Sequence, residues 1–243
     1  GIIMTFTILQ VTSGYSLLRS TIDLYKYVMT AKKLGYQKLA LTDEGVLHGA
    51  IEFYNLCRSQ NIEPIIGCVF QYKQWRNAEA LSPMIVYAKD EIGYQSLIEL
   101  STQYQQTKLV SKNMEKIIKE SSEHIQIVFP QENSEWALEC SNGEVAFQRW
   151  LFEAEERYFP NIHLGIESNQ ILPIPLEELE AWGQDFSMKL EVEKHHSLYS
   201  SKGWIEGYNR SVKISDHRPA VAFSDTVIGV SWYFSESYEK FIV

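Results

Sequence analysis

The strongest constraint on this chain is an alternation. Short apolar runs of strand character recur along it, and most are followed by segments whose apolar residues fall at helical spacing. "TFTILQV" (5–11) opens the series and ends at the turn "TSGYS". Ser20 or Thr21 then stands where a helix cap is needed. Ile22, Leu24, Tyr25, Val28, Ala31 and Leu34 share one face, Asp23 suits the first turn, and Gly35 suits the C-terminal cap. "KLALT" (38–42) predicts a second strand, and His48 to Arg58 a second helix offering Ile51, Phe53, Tyr54 and Leu56 for burial. "PIIGCVFQY" (64–72) and "MIVYA" (84–88) are the third and fourth strands. Helical segments follow at 91–104 and 108–123, then the fifth strand "IQIVFP" (125–130). An amphipathic helix at 143–159, a sixth strand at 162–167, a helix at 175–190 and a seventh strand "AVAFS" (220–224) complete the pattern.

Such alternation favours an α/β fold with a parallel sheet covered by helices, and about seven strands with repeated crossovers favour a barrel over an open sheet. The 243 residues, 45% hydrophobic, can supply a sizeable core. They are read as one domain over 1–243. Residues 5–190 form its main barrel, 191–219 a polar insertion of weak periodicity, and 220–243 the last strand and C-terminal segment. In barrels of this kind function sits at the C-terminal ends of the strands. Those ends are Gln10 to Ser13, Thr42 to Gly45, Cys68 to Gln71 and Ser224 to Val227.

Charge and composition exclude several function classes. A formal net charge of −9 argues against strong autonomous binding of nucleic acid. Cys57, Cys68 and Cys140 are far apart and form no CxxC pair, as expected of a reducing cytoplasm. No apolar run approaches the roughly 20 residues of a membrane span, and "GIIMTFTILQ" lacks the layout of a signal peptide. No GxxxxGK phosphate loop is present. "SDHRP" (215–219) echoes the closing motif of a metal-dependent phosphoesterase superfamily, but its partner motifs are missing and the echo is read as chance. His195 and His196 fall in the polar insertion and are expected to be solvated. Ser13 and Ser16 show no pattern that would make a nucleophile. The plentiful aromatics, among them Tyr25, Tyr27, Phe53, Tyr54, Trp150, Phe152 and Trp182, are expected mostly in the core and not as base-stacking platforms.

Two stretches carry a family resemblance. "SGYSLLRSTIDLYKYVMTAKKLGYQKLALTDEGVLHGAIEFYNLCRSQNIEPIIGCVF" and "MIVYAKDEIGYQSLIELST" resemble the N-terminal PHP (polymerase and histidinol phosphatase) domain of bacterial replicative DNA polymerase alpha subunits. The likeness is dense from about Thr5 to Thr102, diffuse to Leu190 and partly recovered in "PAVAFSDTVIG" (219–229). It implies a distorted (β/α)7 barrel. Active members hold up to three metal ions at the strand ends. The resemblance places their His-x-His pair on Gln10 and Thr12, their Asp-His pair on Asp43 and Glu44, and a Glu on Val69. It places a His on Pro83 and the closing Asp-x-His on Asp225 and Val227. Only Asp43 and Asp225 match outright.

Metal sites of this type need imidazole nitrogen and carboxylate oxygen. Valine and proline side chains offer no lone pair, so the remaining carboxylates would at most attract Mg²⁺, Mn²⁺ or Zn²⁺ weakly. No catalytic residue, cofactor site or metal site is therefore expected. Asp43 reads as a residue capping backbone N–H groups in a strand-to-helix turn, Glu44 as one favoured by the following helix N-terminus, Asp225 as a turn residue, and His48 as a first-turn residue. The resemblance implies a non-catalytic structural and interaction module that braces the palm and thumb of the polymerase and, in some relatives, meets the proofreading exonuclease. The rival expectation is a residual metal-dependent phosphoesterase or 3′–5′ exonuclease using Asp43, Glu44 and Asp225.

Overall fold

The structure is a computed structural model that describes residues 7–10, 24–131, 133–158, 162–166, 172–186, 189–192 and 231–233. The chain divides into two compact units, Gly1–Cys68 with Val192–Val243, and Val69–Glu191. Its described elements are β1 (Thr7–Gln10), α1 (Leu24–Leu34), β2 (Lys38–Glu44), α2 (Ala50–Ser59), β3 (Glu63–Lys73), β4 (Leu81–Ala88), α3 (Glu91–Thr107), α4 (Lys112–Glu120), β5 (Ile125–Pro130), α5 (Glu135–Ser141), α6 (Glu144–Tyr158), β6 (Ile162–Ile166), α7 (Leu176–Gly183), β7 (Lys189–Val192) and β8 (Ser231–Tyr233).

In the first unit β1 pairs antiparallel with β8, Thr7 opposite Tyr233 and Gln10 opposite Ser231. β2 neighbours β3, whose entry is fixed by the Glu63 N–H donating to the Gln37 carbonyl at 2.8 Å. Leu39, Ala40 and Leu41 of β2 are buried, as are Tyr27 and Val28 of α1 and Phe53 and Cys57 of α2. Tyr27 stacks on Phe53 and donates its hydroxyl to the Ala40 carbonyl, tying both helices to the strand. The backbone closes both helix ends. Gly35, at φ 90°, donates to Lys32 while Tyr36 donates to Ala31, the paired bonds of a left-handed C-terminal cap. Asn61, at φ 55°, repeats that arrangement after α2.

In the second unit the strand order is β3-β4-β5-β6-β7. β5 and β6 are parallel, whereas β4 is antiparallel to β5, so the expected parallel sheet is mixed. The connection from β3 to β4 is too short to house a crossover helix, which is why β4 departs from the parallel pattern. Here side chains start α3, α4 and α5. Asp90 accepts from the Gly93 N–H, Ser111 from Met114 and Ser134 from Ala137.

Six of the seven expected strands are present, and strand 220–224 lies outside the described residues. The helix expected over 175–190 stops at Gly183, a poor helix former, and Lys189 and Leu190 instead open β7. α5 and β8 were not anticipated. Some residues expected in the core are exposed because they point off the outer helix faces: Tyr25, Ile51, Tyr54 and Phe152. Phe53 and Trp150, on the inner faces, are buried.

Candidate functional site

Of the positions on which the resemblance places the family's ligands, Gln10, Asp43 and Glu44 are described in the first unit. Gln10 ends β1, where its backbone partners Ser231. Asp43 and Glu44 are the last two residues of β2, and Asp43 is only 2% exposed. Asp43 lies within the strand, whereas α2 begins at Ala50 behind Gly49, which makes no side-chain capping bond. Glu44 is likewise a strand residue, six positions before that helix. His48 is exposed in the turn ahead of α2, not within its first turn.

Beside Asp43 stands Cys68, fully buried. Its thiol donates to the Val46 carbonyl at 3.6 Å. Burial, reinforced by the Asp43 charge, pushes that thiol far above its ordinary range, so it stays protonated and is not a thiolate donor for a metal. Cys57 and Cys140 are also free and buried, with burial pushing each thiol up to about 12.

In the second unit the two other described positions are occupied by apolar side chains. Val69 in β3 and Pro83 in β4 are buried. Thr12, Asp225, Val227, His195, His196, Ser13, Ser16 and the "SDHRP" stretch lie outside the described residues. Among the described residues no three His, Cys, Asp or Glu side chains gather closely enough to hold one metal ion. Val69 and Pro83 offer no nitrogen or oxygen donor at the places where the resemblance puts a Glu and a His.

At the C-terminal ends of β3 and β5 the second unit carries a different construction, which the sequence reading missed. Glu135, the first residue of α5, is fully buried. Its Oε1 accepts from the Trp75 N–H at 3.1 Å and from the Trp150 indole N–H at 3.1 Å, with the Tyr72 hydroxyl at 3.5 Å. Its Oε2 accepts from the Arg76 N–H at 3.2 Å. Burial raises the carboxyl above its ordinary pKa, and the three N–H donors oppose that rise. Around it Trp75 stacks on Trp150 at 5.4 Å, and Phe129 meets Trp150 edge-on at 5.0 Å. Arg157 lies 5.1 Å over Trp75 while binding both oxygens of Glu115 at 3.0 Å. The only sequence signal was Ser134 followed by Glu135, an N-cap pair set among aromatics.

A polar hollow of about 350 Å³ in the first unit is lined by Gln37, Arg58, Asn61, Ile62 and Glu63. It lies at the start of β2 and β3, away from their C-terminal ends.

The PHP domain model matches residues 9–169, and the chain belongs to that family. Among curated relatives, it is 42% identical over 99 residues to the DNA polymerase III subunit alpha of Bacillus subtilis, and 39% identical over 107 residues to those of Chlamydia trachomatis and Treponema pallidum. Each alignment covers 41% of this chain, which spans 9% of the length of those relatives. Among solved structures, an amidohydrolase from Chromobacterium violaceum is 10% identical, with a TM-score of 0.37 over 73% of this chain and 97% of that one. A likeness that slight carries no argument. Among the described residues no helix is long and apolar enough to cross a membrane.

Proposed function

We propose that this chain serves as a single non-catalytic PHP-like domain of a replicative DNA polymerase alpha subunit, acting in cytoplasmic DNA replication. Its partners are the palm and thumb regions of such a polymerase and, secondarily, a proofreading exonuclease. The identity to polymerase III alpha subunits supports the replication context. One observation supports the non-catalytic part: Val69 and Pro83, where the resemblance places two of the family's ligands, are buried apolar side chains. A valine and a proline cannot be recruited as ligands by any rotamer change. Metal-activated water and phosphate clamping both depend on those donors.

Two measurements test this reading. Metal content after chelator-free purification should be well below one ion per chain. A single-stranded oligonucleotide should not be hydrolysed in Mn²⁺ or Zn²⁺ above the level of an Asp43→Ala control. Stoichiometric metal together with turnover lost in Asp43→Ala would establish the rival phosphoesterase or exonuclease reading. For the scaffold role, the chain should bind a polymerase body that lacks its own PHP region, and failure to bind would remove it.

A further inference from the structure

The outer face of α6 carries a stripe that is complementary to itself. Val145, Arg149, Phe152 and Glu156 are exposed at successive helical spacings, while Phe147, Trp150, Leu151 and Ala154 on the opposite face are buried. Val145 is 67% and Phe152 58% exposed, more than ordinary for a valine and a phenylalanine on one helix face. Phe152 has a cation on one side and an anion on the other. Arg149 lies three residues before it and Glu156 four residues after it, or about 4.5 and 6 Å along the axis at about 1.5 Å per residue.

We infer that this face binds a second copy of the chain, with α6 packed antiparallel on α6 of the partner about a two-fold axis near Phe152. In that arrangement the Phe152 rings meet across the axis. Arg149 of each copy falls within about 1.5 Å axially of Glu156 of the other, so two ion pairs form by symmetry. The intrachain contacts leave these charges available among the described residues. Lys119 approaches Glu156 through its backbone carbonyl at 3.2 Å, and the ion pairs of α6 use Glu153 and Arg157 instead. On α2, beside the exposed Ile51 and Tyr54, Glu52 and Arg58 are not spaced three and four residues to either side of an apolar residue, which is why α6 is the better candidate. One helix face is a small interface, so the association is weak and depends on concentration. It stands independently of the polymerase reading.

Sedimentation velocity on the whole chain over a concentration series tests it. The wild type should shift from monomer towards dimer as concentration rises. Phe152→Glu should weaken association at least about tenfold. Arg149→Glu alone should weaken it similarly, by facing two acids across the axis, and Arg149→Glu combined with Glu156→Arg should restore it. All three positions are at the surface, and an unchanged circular dichroism spectrum identifies folded variants. A wild type that stays monomeric, a Phe152→Glu variant that dimerises normally, or a double variant no better than Arg149→Glu would overturn the proposal.

Discussion

Asp43 and Glu135 are both carboxylates taken out of water, one at the end of β2 in the first unit and the other at the start of α5 in the second. Their sequence contexts suggest opposite things. Asp43 falls where the resemblance places a metal ligand and invites a catalytic reading, whereas Glu135 falls at no such place. Yet Asp43 adjoins a protonated thiol that bonds elsewhere, and Glu135 is enclosed by three N–H groups and a hydroxyl. A buried charge persists where donors surround it. For Glu135 the surrounding donors, not a family motif, account for a carboxylate out of water.

The hardest test of this contrast is to remove Glu135. Glu135→Ala would strand the Trp75, Arg76 and Trp150 N–H groups in an apolar box, and a loss of about 4 kcal/mol in urea unfolding is expected. A loss below about 1 kcal/mol would mean that the box does not depend on its acid. Next comes a position that involves packing alone. A Cβ on Gly93 would lie 2.0 Å from the His124 carbonyl oxygen, so Gly93→Ala must push α3 away from the backbone ahead of β5. The expected cost is about 2 kcal/mol.

A third carboxylate sharpens the contrast because it is half-exposed. Burial raises Asp90 somewhat, but the His124 ring at 2.7 Å and the Gly93 N–H at 2.8 Å outweigh that and leave it below the ordinary carboxylate range. A lowered pKa in the folded state means stability that is present above the unfolded value and lost as pH falls through the folded one. Asp90→Ala should therefore cost about 1 kcal/mol at neutral pH, mostly as a lost cap. Its stability should also fall less steeply than the wild type's below about pH 4. The smallest effect concerns Asp43: excess EDTA should leave the melting temperature unchanged, since no ion bound to the native state is removed. A drop of several degrees would put a metal beside Asp43 after all.

Much of the fold was legible because strands and helices bury residues with different periods. β2, β5 and β6 fall where their apolar runs are, and Gly35 ends α1 as its position suggests. The misses have local causes. α5 spans only seven residues, too few to display a helical period, and Lys189–Val192 reads as helix or strand equally well by pattern. At the candidate site the burial of Val69 and Pro83 was legible from their apolar side chains. That β2 runs on through Asp43 and Glu44, with α2 starting only at Ala50, was not, because a strand end and a helix cap share a sequence signature. Glu135 was illegible for a stronger reason: its donors come from Tyr72, Trp75, Arg76 and Trp150, and no local pattern links residues 15 to 63 positions apart.

The pairing of β1 with β8 brings Thr7 opposite Tyr233. On a ribosome adding about 5–20 residues each second, the first of these strands emerges roughly 10–45 s before the second. The intervening second unit is contiguous in the chain and can assemble during that wait, while the first unit cannot be finished until its far segment is released. The nascent β1 therefore passes through a long interval without its antiparallel partner, the period in which an early strand is most open to capture by chaperones or by neighbouring nascent chains.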